Sequence, residues 1–132
     1  MKINDYHVHM GKNSKGINYT VEDLIKSMDE FNIEYSGLSI LNGVTVKELN
    51  DRVMDACDKY PNRIIGYGYI NPREEDAINE VHRCMQHKGM KGFKFHSWKH
   101  GYFPSNNKAL DGIMDAIAQY DVPVLVHTGT AP

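Results

Sequence analysis

The segment N-D-Y-H-V-H-M-G, residues 4–11, places two histidines one residue apart in a pattern that predicts a buried strand. Side chains alternate across a strand, so His7 and His9 are expected to point to the same side, with Asp5 below them. Burying two imidazoles on one face is costly unless something binds them. This spacing indicates a shared divalent metal ion, and Asp5 is expected to orient one of the ligating imidazoles.

A third imidazole ends another predicted strand, V-P-V-L-V-H, at His127. A single histidine at such a position is more often an ordinary hydrogen-bonded residue than a ligand. Strands one and five of a barrel face each other across its axis, so His127 can reach the same metal ion as His7 and His9. Three protein ligands with a position left open for water are typical of catalytic zinc. We therefore predict a zinc ion held by His7, His9 and His127.

The segment G-F-K-F-H, residues 92–96, adds two further polar side chains on the inner side of a strand. A buried lysine at position 94 must be paired, deprotonated, modified or in contact with an anion. Three interpretations of Lys94 stay open: an ion pair with Asp5, carboxylation to bridge two metal ions, or contact with a substrate carboxylate. We predict that His96 and Trp98 contact the substrate. For Trp98, a purely structural role in capping the barrel mouth is equally consistent.

These segments belong to a regular alternation of strands and helices. The capping boxes T-V-E-D and T-V-K-E predict helix starts at Thr20 and Thr45, and Phe31 is expected to lie on the buried face of the first helix. The third helix is expected from Asn71-Pro72, and the fourth runs from about Asn107 to Tyr120. The predicted strands are Lys2–Val8, Tyr35–Leu41, Arg63–Ile70, Lys91–His96 and Val122–His127. Such alternation predicts a parallel sheet, closed either as a doubly wound sheet or as an eight-stranded barrel. The dinucleotide fingerprint G-x-G-x-x-G is absent after the first strand, which disfavours the doubly wound form.

The composition fits one globular domain spanning residues 1–132. Apolar residues make up 41% and charged residues 24%, and the net charge of −2 provides no basic footprint for nucleic acid. No apolar run approaches the roughly 18 residues of a membrane span, and the amino terminus lacks the apolar region of a signal peptide. Cys57 and Cys84 fall in predicted helices and are interpreted as buried free thiols. The expected location is the cytoplasm.

Three segments together resemble the amidohydrolase superfamily: D-Y-H-V-H-M-G, G-F-K-F-H and V-P-V-L-V-H-T-G. The resemblance is greatest to its amidohydrolase-related group, which includes enzymes like aminocarboxymuconate-semialdehyde decarboxylase. It covers the whole chain and implies a TIM-type α/β barrel with one or two metal ions, held by His7, His9 and His127. Lys94 corresponds to a bridging ligand in some branches.

The superfamily also uses a histidine on strand six and an aspartate on strand eight, and the aspartate serves as proton shuttle. Because a full barrel needs about 250 residues, this chain is expected to hold the first five strands and four helices of a longer protein. The general base is then expected beyond Pro132, and residues 1–132 alone are expected to be inactive.

The resulting functional prediction is a metal-dependent hydrolase in which a metal-activated water attacks an amide, ester or lactone carbon of a small molecule. The first alternative is a non-oxidative decarboxylase with the same metal ligands. A phosphoesterase of the polymerase-and-histidinol-phosphatase type shares H-x-H but matches the fourth and fifth strands poorly. The remaining alternative is an inactive fragment or non-catalytic metal-binding scaffold, whose open sheet edges allow assembly into a homo-oligomer.

Overall fold

The computed structural model describes residues 2–103, 105 and 107–129, with Asn107 described by its backbone alone. The strands are β1 (Ile3–His9), β2 (Gly11–Lys12), β3 (Asn18–Tyr19), β4 (Ile33–Ser39), β5 (Ile64–Tyr69), β6 (Met90–His96) and β7 (Val124–His127). The helices are α1 (Val21–Glu30), α2 (Val46–Lys59), α3 (Ala77–Gln86), α4 (Ser97–His100) and α5 (Asn107–Ala118). In this described part of the chain, no helix combines the length and apolarity needed to cross a membrane.

Five strands form one parallel sheet in the order β1-β4-β5-β6-β7, and β2 pairs with β3 as a separate antiparallel hairpin. Each new strand of the sheet is added on the same side as the last. A doubly wound sheet reverses its strand order at a switch point, and this sheet has no such reversal. The predicted TIM-type architecture is therefore confirmed for the described residues, as a five-stranded half-barrel.

The sheet is strongly curled. Lys94 on β6 lies 3.1 Å from His7 on β1, measured from Nζ to Nε2, although β4 and β5 separate the two strands. In a flat sheet, three strand spacings would hold those backbones about 14 Å apart with parallel side chains. The contact therefore requires a concave face, and this face carries the histidines that the sequence analysis singled out.

Both predicted capping boxes are present. The Thr20 hydroxyl accepts the Asp23 amide and the Thr45 hydroxyl accepts the Glu48 amide, and each cap amide donates in return to the acidic side chain of its box. The prediction for α3 was wrong: the helix begins at Ala77, because the Asn71 side chain accepts the Arg73 amide and folds residues 71–76 into turns. Phe31 is the C-cap of α1 and is exposed, so its predicted burial was wrong too.

The core lies between the convex face of the sheet and the helices. Leu38, Val53, Val81 and Phe93 are fully buried there. Cys57 and Cys84 are buried free thiols, as predicted, and burial raises the pKa of Cys57 to about 12. These thiols are therefore packing residues and protonated at neutral pH.

A buried polar network connects α2 and α3 to the end of β5. The Asn50 side chain is fully buried, accepts the Tyr69 amide at 2.7 Å and donates to the Tyr69 carbonyl at 3.0 Å and to Glu80 Oε1 at 2.7 Å. Arg83 also donates to both Glu80 oxygens at 2.7 Å. Burial by itself would raise the pKa of Glu80, but the bonds from Arg83 and Asn50 outweigh it and hold that pKa below its ordinary value.

This depressed pKa predicts a pH-dependent contribution to stability. A group whose folded pKa lies below its unfolded value stabilises the fold above the unfolded pKa and loses that contribution as pH falls. We expect the native protein to be more stable than Glu80→Gln at pH 6, with the difference shrinking between about pH 5 and pH 3. Urea denaturation of both proteins across this range measures the effect. A difference that stays constant with pH would contradict the assigned role of the carboxylate.

The inner face of the sheet has no room for a side chain at Gly92. A Cβ atom there would lie 2.5 Å from the Tyr67 ring and 2.8 Å from the Pro123 carbonyl oxygen, which is backbone and cannot rotate away. We expect Gly92→Ala to lower the free energy of unfolding by about 2 kcal/mol, measured by chemical denaturation. Lys91→Ala, at an exposed position in the same strand, is the matched control and should change stability by less than about 0.5 kcal/mol.

Candidate metal centre

Four strands of the sheet have a polar side chain at their carboxyl-terminal ends, which lie at the same end of the sheet. The carboxyl-terminal residues of β1, β4, β6 and β7 are His9, Ser39, His96 and His127. Carboxyl ends of parallel strands are where open and closed α/β sheets bind ligands. The predicted site residues therefore share one end of the half-barrel.

The first-strand histidines face each other. His7 Nε2 and His9 Nε2 are 3.1 Å apart, and the rings meet edge to face. Two nitrogens on one tetrahedral zinc ion, each bonded at 2.0–2.1 Å, are about 3.3 Å apart. The spacing of this pair is therefore close to what a shared ion requires.

Ser39 determines which nitrogen of His9 is free. His9 Nδ1 lies 3.2 Å from the Ser39 carbonyl and 3.0 Å from its hydroxyl. A carbonyl oxygen can only accept, so Nδ1 carries the proton and donates it. His9 Nε2 is left with a lone pair directed at His7, which is the arrangement expected of a metal ligand held by a neighbouring acceptor.

Lys94 lies beside the gap between the His7 and His9 rings. Its side chain is fully buried, and its Nζ lies 3.1 Å from His7 Nε2, the nitrogen that faces His9. When the ammonium donates to His7 Nε2, it occupies the single lone pair of that nitrogen, so this bond must break before His7 Nε2 can bind an ion. Among the described residues Lys94 forms no ion pair with Asp5, the first of its three interpretations. Burial lowers the pKa of Lys94, because the charged form is desolvated.

Low pKa values keep the imidazoles available at neutral pH. Burial, followed by the charge of Lys94, lowers the pKa of His7. Burial lowers the pKa of His9 to about 4, and the neighbouring His7 adds to the effect. Metal ligation requires neutral imidazole, so neither ring needs to lose a proton at pH 7 to bind an ion.

His127, at the end of β7, stacks on His96 at the end of β6. The rings of His96 and His127 lie 4.0 Å apart between centroids at an angle of 18°. His127 Nε2 is buried and has no hydrogen-bond partner among the described atoms. A buried polar atom without a partner is costly, so a bound ion or other ligand at this nitrogen would be stabilising.

The described residues nonetheless bring two imidazoles together and not three. Over residues 2–103, 105 and 107–129, no group of three or more His, Cys, Asp or Glu side chains is already arranged around one ion. Asp5 also differs from expectation: its carboxylate accepts the backbone amide of His7 at 3.1 Å and does not contact an imidazole. A register shift between Asp5 and Val8 interrupts the regular alternation on which that prediction depended.

A recess of about 550 Å³ adjoins His96 at the same end of the sheet. It is lined by Asn13, Ser14, Leu41, Asn42, His96, Trp98 and Lys99. His96 and Trp98, the two predicted substrate contacts, therefore share one wall. Ser39, Asn42 and Lys99 were not predicted individually. A serine ending a strand beside a predicted ligand strand was the available signal for Ser39, and the basic and aromatic character of the segment S-W-K-H-G-Y-F-P was the signal for Lys99; for Asn42 the sequence held none.

The hydrogen bond from His9 to Ser39 makes a testable prediction. We expect Ser39→Ala to weaken divalent metal binding about tenfold, because the variant loses one of the two acceptors that fix the His9 ring. Ser36→Ala is the matched control: this buried serine on the opposite face of β4 has a hydroxyl without a partner in the described structure. Calorimetric titration with zinc measures both. Equal affinity for the two variants would contradict the assigned role of Ser39.

Comparison with known proteins adds independent information. The family model described as amidohydrolase matches residues 5–132. A 5-carboxyvanillate decarboxylase from Novosphingobium aromaticivorans, solved with manganese and a nitrobenzoic acid ligand, is 30% identical with a TM-score of 0.68, over 83% of this chain and 35% of that chain. No curated protein gives a significant match.

Two further structures share the fold at lower identity. A putative amidohydrolase from Staphylococcus aureus is 22% identical with a TM-score of 0.79, over 100% of this chain and 49% of that chain. A 4-oxalomesaconate hydratase from Rhodopseudomonas palustris is 13% identical with a TM-score of 0.72, over 96% and 52%. The chain thus spans between about a third and half of the length of these structures.

Proposed function

Because this chain belongs to the amidohydrolase family, we propose that its strand ends form part of a divalent-metal site that acts on a small-molecule substrate. The observation that carries the proposal is the facing pair of His7 and His9 nitrogens, 3.1 Å apart, with the proton of His9 directed to Ser39. His7 and His9 would hold the ion with His127, whose buried Nε2 has no partner in the described structure. A bound divalent ion would supply Lewis acidity to a carbonyl or carboxylate and lower the pKa of a water molecule.

The proposed reaction is hydrolysis of an amide, ester or lactone. In it, Ser39 keeps the His9 ring in the ligating tautomer, and His96 and Trp98 contact the substrate from the wall of the recess. Lys94 is the candidate for a substrate carboxylate contact or, when carboxylated, for a bridge between two metal ions. Its burial lowers its pKa and so favours the neutral amine that carboxylation requires.

Non-oxidative decarboxylation is the second candidate, and one comparison favours it. The 30% identical structure is a decarboxylase that binds manganese together with a substituted benzoic acid. A carboxylate directed to Lys94 would suit that reaction as well as hydrolysis. Manganese is accordingly an alternative to the expected zinc.

One assay separates the two reactions. The assay uses the whole protein of which residues 1–132 are expected to form the first five strands, because residues 1–132 alone are expected to be inactive. It is loaded with zinc or with manganese and offered a panel of amides, esters, lactones and carboxylated aromatic acids, while carbon dioxide release and acid release are recorded in parallel. Metal-dependent acid release without carbon dioxide supports the hydrolase, and carbon dioxide release supports the decarboxylase. Binding of one ion per chain with neither product, together with a defined oligomer by light scattering, would favour the metal-binding scaffold.

A further inference from the structure

Three separate segments of the chain enclose the recess. Asn13 and Ser14 belong to the turn of the β2–β3 hairpin, Asn42 follows β4, and Trp98 and Lys99 belong to α4, which follows β6. These segments follow three different strands of the sheet. The width of the recess therefore depends on how the three segments are held to one another.

A single asparagine joins all three segments. Lys99 Nζ donates to the Leu41 carbonyl and, at 2.8 Å, to Asn42 Oδ1. Asn42 Nδ2 in turn donates to the Lys12 carbonyl in the hairpin at 3.2 Å. Both ends of one side-chain amide are thus used, one toward α4 and one toward the hairpin.

Lys99 is exposed to solvent, but its ammonium is directed across the recess. Its partners there are neutral oxygens and the face of the Tyr69 ring, 6.0 Å from Nζ to the centroid, and desolvation on one side lowers the pKa of the ammonium. In this position Lys99 contributes bonds that connect α4 to the segment after β4.

We propose that Lys99 and Asn42 form a clasp, the chain Lys99–Asn42–Lys12, which holds the hairpin against α4 and thereby sets access to the recess. In terms of the function proposed above, on which the consequence for substrates rests, Lys99 and Asn42 are positioning residues that determine which ligands reach the buried His96. Opening the clasp breaks the bond from Asn42 to Lys12 and frees the hairpin without unfolding the sheet.

Two readouts test the clasp, and neither needs a metal or a substrate. Hydrogen exchange reports the hairpin, whose tip carries the bonds from the Asn13 amide to the Ile17 carbonyl and from the Gly16 amide to the Asn13 carbonyl. Trp98 is the only tryptophan of the chain, lines the recess and is 63% exposed, so changes in its emission and in its quenching by acrylamide or iodide report changes in the surroundings of α4.

The variants separate the two halves of the clasp. Asn42→Ala removes the bonds from Lys99 to Asn42 and from Asn42 to Lys12 but keeps the bond from Lys99 to the Leu41 carbonyl, and Lys99→Met removes both bonds from α4. Asn42→Asp keeps an acceptor for Lys99 but loses the donor to Lys12. We expect Asn42→Ala to raise hairpin exchange about fivefold, the equivalent of one lost hydrogen bond, and to change the emission or quenching of Trp98. Asn42→Asp should raise hairpin exchange with less change in quenching. Asn79→Ala, at an exposed position on α3, is the matched control.

Unchanged hairpin exchange and unchanged quenching in Asn42→Ala, with α1 and α2 still protected, would overturn the clasp. Loss of protection in α1 and α2 would mean that the variant fails to fold; Asn42→Asp, which loses the same donor to Lys12, then decides by hairpin exchange. These results are independent of the proposed function, because a clasp can exist without metal binding, and metal binding can persist when the clasp is absent.

Discussion

Replacing either histidine of the first strand is expected to weaken divalent metal binding by at least about 100-fold. Loss of a residue that merely orients a ligand costs about 10–100-fold, so loss of the ligand itself should cost more. His9→Ala removes the nitrogen that Ser39 directs into the gap, and His7→Ala removes the nitrogen that faces it. Competition with a chelator of known affinity measures the change for each variant.

His82→Ala is the control for these variants. His82 lies on α3, away from the strand ends, where its Nδ1 contacts the Tyr120 hydroxyl at 2.6 Å. Its replacement should leave metal affinity unchanged. If His82→Ala and His9→Ala weakened binding equally, the ion would be held by scattered surface imidazoles and the proposed centre would be wrong.

The largest effect on stability is expected at Asn50. Asn50→Ala would leave the buried amide and carbonyl of Tyr69 without their partner and remove one donor from Glu80. Each buried polar group left unpaired costs about 1–3 kcal/mol, so we expect a loss of about 3 kcal/mol in the free energy of unfolding. Chemical denaturation at pH 7 gives the value.

Asp55→Ala, at an exposed position on the same helix, provides the comparison for Asn50. It should alter stability by less than about 0.5 kcal/mol. A similarly small loss in Asn50→Ala would show that water replaces the amide, and that the network between α2 and α3 contributes little.

The fold could be predicted from the sequence because local signals were strong and agreed with each other. The boxes at Thr20 and Thr45 fix two helix starts through bonds made within four residues, so no tertiary information was needed. The start of α3 was predicted wrongly because Asn71-Pro72 also suits a turn. The Asn71 side chain accepts the Arg73 amide and stabilises that turn.

For the candidate site, the sequence predicted which residues take part but not most of the contacts between them. Strand periodicity placed Lys94 and His96 on the inner face, and Lys94 does reach His7 there. The position of Asp5 was not predictable, because the register shift after it depends on pairing with β4. Ser39, Asn50 and Lys99 make their contacts with residues 19 to 58 positions away, and such contacts leave no local pattern.

The most direct test of the metal centre is X-ray absorption at the zinc edge of the protein loaded with one equivalent of zinc. The proposed site predicts three imidazole nitrogens at about 2.0–2.1 Å, from His7, His9 and His127, and a loss of imidazole scattering in His127→Ala. A shell made mainly of oxygen, or one that His127→Ala leaves unchanged, would contradict it.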